Sequence, residues 1–335
     1  MADWTPRISV VVPAFQASDC IERCLAALAR QRLPRDQYEI IVVDDGSTDA
    51  TAQRASRCGA RVRRLDRNHG PAQARNAGLA AARADIVVFT DSDCEPASDF
   101  LAALTAPLAD PRIAATKGVY ASSQRALVAR FVQLEYESRY RRTSTASTVD
   151  FIDTYAACYR RADLLRLGGF DPWFRVCEDQ ELSFRLAEAG LSMRFVPDAC
   201  TYHQHAVTLW GYLRKKFRIA RWKVAVLRKH PRRAFRDSHT PQTLKLEITS
   251  AFVVAASTAC LMLRPRSPRS RLALGLALGV HGGLTADFVL RSARRDLAVA
   301  IAAPVLLLCR DLALGAGLSF GCLQHAWLSA AGRLA

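Results

Sequence analysis

Thr90-Asp91-Ser92-Asp93 follows directly on an apolar run, Ile86-Val87-Val88-Phe89. Two carboxylates one residue apart at a strand end, with Glu95 close behind, are costly to bring together unless a cation bridges them. Strand ends in α/β sheets are also where ligands bind. Asp91 and Asp93 therefore suit a divalent ion, Mg2+ or Mn2+, that holds a diphosphate. Aspartates are common in turns without any such duty, so position and company give this pair its weight. A second acidic strand end, Val42-Val43-Asp44-Asp45-Gly46-Ser47, offers Asp44 and Asp45 as acceptors for a base N–H or a ribose hydroxyl. The same stretch also reads as a glycine turn in which Ser47 or Asp49 caps the next helix.

Three further groups carry chemistry. In Asn68–Gly78 a helix starts at the ligand edge, with Arg75 one turn inside it, which suits phosphate; a surface helix with one cation is the plainer account. Glu178-Asp179-Gln180-Glu181 opens a helix after Gly168-Gly169-Phe170. Acids favour a first helical turn, but Asp179, with Glu178 beside it, is also placed to act as a catalytic base across a cleft from the metal. In Tyr202-His203-Gln204-His205, alternation puts both histidines on one face of an extended segment. His203 is the candidate third metal ligand, and His205 reads as a surface histidine.

The elements that position these residues alternate. Ile8–Val12, Tyr38–Val43, Arg61–Leu65 and Ile86–Phe89 read as strands. Helices follow at Ile21–Leu28, with Asp19 and Glu22 as a capping box, through the alanines to Cys58, and from Pro71. Four strand–helix alternations with short links predict a mostly parallel sheet flanked by helices. Ala126–Tyr140 reads as a helix, Asp150–Tyr159 as extended, Asp179–Ala189 as an amphipathic helix and Ser192–Val196 as a last strand.

The chain has 335 residues, half of them hydrophobic, and a net charge of +16. That charge is local. Residues 1–213 hold 26 basic and 26 acidic side chains, residues 214–236 hold 11 and none, and residues 237–335 hold 10 and 5. A nucleic-acid surface is one source of a basic stripe. An anionic lipid surface explains it better, because apolar segments follow directly, and no nucleic-acid partner is expected. Ile248–Leu263, Leu272–Leu290 and Leu297–Phe320 are each near the roughly 20 residues that span a bilayer. The last two carry polar interruptions at His281, Asp287 and Arg310-Asp311. Both links, Arg264–Arg271 and Arg291–Arg295, are basic, so the positive-inside rule leaves the topology open, with one segment able to lie in the interface. Three regions are expected: a catalytic domain over 1–208, a basic amphipathic interfacial helix over 209–243 and membrane helices over 244–335. No signal peptide is visible, and the ten cysteines form no CxxC pair, so a reducing cytosol for the N-terminal part and the plasma (inner) membrane for the C-terminal part are expected.

Taken in order, Val11–Phe15, Val42–Asp49, Asn68–Gly78 with Ala74-Arg75-Asn76, Thr90–Asp93, Gly168–Asp171, and Glu178-Asp179 with Leu182 and Arg185 resemble the glycosyltransferase family 2 enzymes of GT-A fold, over roughly residues 7–225. The resemblance implies an inverting transfer from a nucleotide-diphospho-sugar. Asp45 with Asp44 would contact the base, Asp91 and Asp93 would hold Mg2+ or Mn2+, and Asp179 would be the base catalyst. Pro13, Ala14, Arg75, Ser92, Arg218, Arg221 and Trp222 complete the expected donor-binding set. Processive relatives carry Gln-x-x-Arg-Trp; here the stretch is Arg218-Ile-Ala-Arg221-Trp222, which points to single-sugar transfer. The expected acceptor is a glycan or a lipid-linked molecule at the membrane, in cell-envelope or exopolysaccharide synthesis. A nucleotidyltransferase of the same fold would want a glycine-rich loop after the first strand, where Pro13-Ala14-Phe15-Gln16 stands. A non-catalytic membrane receptor for nucleotide-sugars need not keep Asp91, Asp93, Glu178 and Asp179 together. No GxGxxG follows a strand, which argues against a dinucleotide oxidoreductase.

Overall fold

The computed structural model describes residues 5–146, 148–234 and 240–330. Chain contacts divide it into two units, one of residues 1–123 and 139–205, the other of residues 124–138 and 206–335. Residues 124–138, expected within the catalytic region, thus fold with the C-terminal part.

The first unit is built on a mixed sheet. Its strands are β1 (Ile8–Ala14), β2 (Tyr38–Asp44), β3 (Arg61–Arg64), β4 (Ile86–Phe89), β5 (Cys94–Pro96), β6 (Ile113–Ala121), β7 (Ala157–Arg160) and β8 (Ser192–His203). The order is β3-β2-β1-β4-β7-β6-β8-β5. β1, β2, β3 and β4 pair in parallel, as the strand–helix alternation predicts. Beyond β4 the pattern changes, because β7 runs antiparallel to both β4 and β6. β1 and β2 are apolar and almost continuously buried, since helices cover both faces.

The helices α1 (Ile21–Ala29), α2 (Thr51–Arg57), α3 (Pro71–Ala81), α4 (Phe100–Thr105), α6 (Arg161–Arg166) and α7 (Glu178–Glu188) flank the sheet, while α5 (Leu127–Ser144) is divided between the units. Asp19 does not cap α1: Cys20 takes that position without a side-chain bond. α3 packs tightly on β1, where a Cβ on Gly78 would collide with Val11. The core joins Val11, Ile41, Phe89, Tyr159, Phe170 and Leu182, so the inner faces of β1, β2, β4 and β7 meet α3 and α7.

The second unit contains α8 (Leu209–Lys229), α9 (Thr243–Leu263), α10 (Pro268–Ala293) and α11 (Leu297–Ala330). The last three are long and apolar enough to cross a membrane. α8 is a single helix with Tyr212, Ala220 and Val224 buried.

Candidate active site

Topology brings the predicted acids to one sheet edge. Ala14 pairs with Asp44 across β1 and β2, and Val11 pairs with Phe89 across β1 and β4. The turns that follow β1, β2 and β4 therefore emerge side by side. β7 runs the other way, with Ala157 opposite Phe89; the segment before it delivers Asp153 to the same edge.

Asp44 and Asp45 are buried. Asp44 accepts from the Ser47 N–H at 3.0 Å and faces Arg64 at 3.4 Å. Asp45 accepts from the backbone N–H groups of His69 and Gly70 at 2.9 and 2.8 Å, one on each oxygen. Both acids thus shape their own turn and pin the entrance of α3. Gly46 is required here: its φ is +74° and a Cβ would strike the Arg67 backbone. Pro13 is partly exposed and Ala14 buried, and the Ala14 carbonyl accepts from the Asp45 N–H at 2.8 Å. Gln16 laces the first turn to the second through Ser47, Thr48 and Asp49. It does so with φ at +50°, a conformation that costs a non-glycine residue energy.

Arg75 is the centre of the arrangement. It is buried; Nη1 donates to Glu178 at 2.5 Å and Nη2 to Asp91 at 2.9 Å. Burial opposes its charge, but the surrounding Asp91, Glu178 and Asp179 hold its pKa above the ordinary value. The sequence placed Arg75 on the donor phosphates; in the fold it joins the turn after β4 to the start of α7. Asn76, its neighbour, clamps the glycine break: it donates to the Phe170 carbonyl at 2.7 Å and accepts from the Phe170 N–H at 2.8 Å. A Cβ on Gly169 would meet Asn76 Oδ1 at 2.5 Å, so the break must be glycine there.

Asp179 keeps partial solvent access among closely packed groups. Burial, then the like charges of Glu178 and Asp153, push its carboxyl well above the usual carboxylate range, against the pull of Arg75 and the Gln180 N–H. Asp153 itself pairs with the buried Lys117 of β6 at 2.5 Å. Sequence reading missed both Asp153 and Lys117, because neither belongs to a motif and only the antiparallel insertion of β7 brings them here. Cys177, the N-cap of α7, has φ at +66°, so backbone strain marks this side of the site as well.

The two acids of the Asp91-Ser92-Asp93 turn face different partners. Asp91 accepts from Arg75, whereas Asp93 points to β8, its Oδ2 3.5 Å from His203 Nδ1. Pairing of Cys94 with His203 across β5 and β8 sets that approach. One ligand atom each from Asp93, Cys94 and His203 lies within 4.8 Å of the others. His203 Nδ1 is buried and makes no hydrogen bond, a ring nitrogen facing a carboxylate. Those two groups fit a hard divalent ion. In the unliganded site, burial, then Asp91 and Asp93, drive the Cys94 pKa well above that of an ordinary thiol. Ser92 is partly exposed in the turn. His205, expected on the surface, is buried against Tyr120, whose ring also stacks on His203 at 4.6 Å. Arg218, Arg221 and Trp222 lie on α8 in the second unit, where Arg221 donates to Gln324 at 2.7 Å.

Comparison with known proteins agrees with this geometry. The glycosyl transferase family 2 model matches residues 9–167. The chain is 31% identical over 218 residues to the pre-mycofactocin glycosyltransferase of Mycobacterium tuberculosis, a match covering 62% of this chain and 45% of that protein. It therefore spans less than half the length of that relative. It is 25% identical over 238 residues to glycosyltransferase AglE of Haloferax volcanii, covering 68% and 76%. Among solved structures, the mannosyltransferase PcManGT from Pyrobaculum calidifontis, in complex with GDP-Man and Mn2+, is similar over 97% of this chain and 88% of that one, with a TM-score of 0.60 at 24% identity. Glucosyl-3-phosphoglycerate synthase from Mycobacterium tuberculosis is similar over 66% and 79%, with a TM-score of 0.50 at 25% identity. Two parallel strand ends carrying acids and a strained helix start facing them agree with the glycosyl transferase family 2 match over residues 9–167 and with the GT-A fold of these solved structures.

Proposed function

We propose that this protein transfers a single sugar, with inversion, from a nucleotide-diphospho-sugar to a hydroxyl on a membrane-proximal acceptor, a glycan or a lipid-linked molecule. The observation that carries the reading is the Arg75 bridge, which ties Asp91 of the donor turn to Glu178 and so sets Asp179 beside that turn. Asp179 takes the proton of the acceptor hydroxyl. The freed oxygen forms a bond to the anomeric carbon from the face opposite the diphosphate. The bond from that carbon to the diphosphate breaks, and the electron pair leaves with the diphosphate. Glu178 stays ion-paired to Arg75 and keeps the helix start in register.

Asp93 and His203, with Asp91, would hold Mg2+ or Mn2+, which supplies positive charge against the leaving diphosphate. Asp44 and Asp45 hold the turn against which the base and ribose rest. The apolar helices and the basic α8 support a site at an anionic membrane, and on this reading the catalytic unit lies on the cytosolic side.

A panel of nucleotide-sugars, assayed by nucleotide release with Mg2+ or Mn2+, tests the proposal. One donor class is expected to release nucleotide, and faster when a membrane extract supplies acceptor. No release above heat-inactivated protein from any donor, with either ion and with the extract present, would overturn it.

A further inference from the structure

Length alone would let α9, α10 and α11 cross a bilayer, for 21 helical residues reach about 31 Å against a hydrocarbon core of about 30 Å. The packing of α11 argues against it. On α11, a Cβ at Gly317 would collide with the Phe217 carbonyl of α8, and one at Gly321 would lie 2.6 Å from the Arg221 carbonyl. The same offset at both positions means that the two helices run side by side in the same direction, with small residues admitting close backbone approach. Along its 21 residues α8 carries eight Lys or Arg and no acid. Charged side chains in hydrocarbon are expensive, so this half of α11 cannot be drawn through a bilayer without its companion.

The other half of α11 is bordered by α5, a charged helix. Arg130 pairs with Asp296 at 2.9 Å, Glu137 with Arg295, and Glu135 with Arg310 at 3.2 Å. Arg310 also binds Glu247 of α9 at 2.5 Å, while Lys216 and the Tyr212 hydroxyl of α8 reach Glu135 at 3.1 and 2.7 Å. α9 and α10 are tied to the same helix. Ser250 meets His281 Nδ1 at 2.9 Å, and Gly315 leaves no room for a Cβ against Phe252. The three helices are thus tied to one another near Glu247, Ser250, His281 and Arg310.

We propose that these helices do not span the membrane but seat together in one leaflet of an anionic bilayer, α8 and α5 forming the water-side cover of α11. This rests on the membrane association proposed above and not on the transfer reaction. Large apolar side chains stand exposed on all three helices, among them Leu263 at 83%, Leu276 at 63% and Ile301 at 73%. Apolar surface on that scale marks a lipid or protein contact. The loops decide between the two. Arg264, Arg266, Arg269 and Arg271 lie at one end of α10, and Arg291, Arg294 and Arg295 at the other. A crossing α10 would send one cluster to the side that positive charge avoids. Seating in one leaflet puts both clusters on the same anionic headgroups, where each cation near the surface adds attraction.

The test uses the full chain in sealed vesicles of phosphatidylcholine and phosphatidylglycerol, with Arg266→Cys and Arg294→Cys variants and the exposed Cys58 of the catalytic unit as the reference for sidedness. A membrane-impermeant maleimide is added outside and labelling is read site by site by mass spectrometry, before and after detergent opens the vesicles. Positions 266 and 294 are both expected to label to the same extent as Cys58 in sealed vesicles. Tenfold protection of either position relative to Cys58, relieved by detergent, would overturn the proposal. Wild-type protein digested with external trypsin gives an independent reading: cleavage in both basic loops is expected, and persistent protection of one alone contradicts it. Absence of the protein from the vesicle fraction would refute membrane association itself, and nucleotide release by the same preparation would show that the transfer reading survives.

Discussion

The fold resists the ionised state that Asp179 needs for its proposed task. A carboxyl whose pKa is raised binds its proton more tightly folded than unfolded, so ionising it costs stability as pH rises from the ordinary value of about 3.9 through the raised one. Replacing Asp179 by Asn removes that cost. Transfer to a hydroxyl acceptor should fall by about 10²–10⁴-fold, while the unfolding midpoint of the variant at neutral pH stays level or rises, as thermal denaturation would show. Intact hydroxyl transfer by the variant would remove Asp179 from the role of base. The same shift fixes the sign of the pH profile. Only the ionised carboxylate accepts a proton, so kcat/KM should climb with pH above the ordinary carboxylate range; a flat profile from about pH 4 upward contradicts the assignment. Arg75 predicts a different signature. Arg75→Ala leaves Glu178 buried without its cation, a loss of about 3–5 kcal/mol, so both stability and activity should drop, whereas Asp179→Asn separates them.

At the scale of elements, the parallel half of the sheet was legible because β1, β2 and β4 are apolar runs closed by acidic turns, and α3 and α7 because glycine breaks precede them. β5 and β6 were not. Cys94-Glu95-Pro96 has no periodicity, and Ile113–Ala121 mixes Lys117 and Gly118 into an otherwise apolar stretch. Their absence from the reading explains the missed Lys117–Asp153 pair and the misplacement of His205, whose burial depends on Tyr120 at the end of β6. The site was legible in its residue types and only partly in its pairings. Nothing in spacing shows that Arg75 spends its guanidinium on two carboxylates, because that bond joins positions 103 apart. Asn76 is the element-level test. Asn76→Ala removes both bonds to the Phe170 backbone, at a cost of about 1–3 kcal/mol. A lowered unfolding midpoint and loss of transfer are expected, with Asn76→Asp recovering at most the bond that an acceptor can make.

Over the whole molecule, charge and apolar surface are segregated: a balanced catalytic unit, a cationic helix and a set of apolar helices. Binding to liposomes should therefore depend on anionic lipid and weaken as salt is raised; flotation that ignores lipid charge would leave α8 without a part in membrane attachment. The proposed reaction depends on one point, the capture of an activated sugar's diphosphate by a cation between the turn after β4 and His203. Calorimetric titration of nucleotide-sugar into wild-type protein and an Asp93→Ala variant, with Mn2+ or with chelator, addresses it directly. Binding that requires Mn2+ in the wild type and disappears in Asp93→Ala is the predicted result. Equal binding of the donor with chelator present, or an unchanged titration of the variant, would contradict the account.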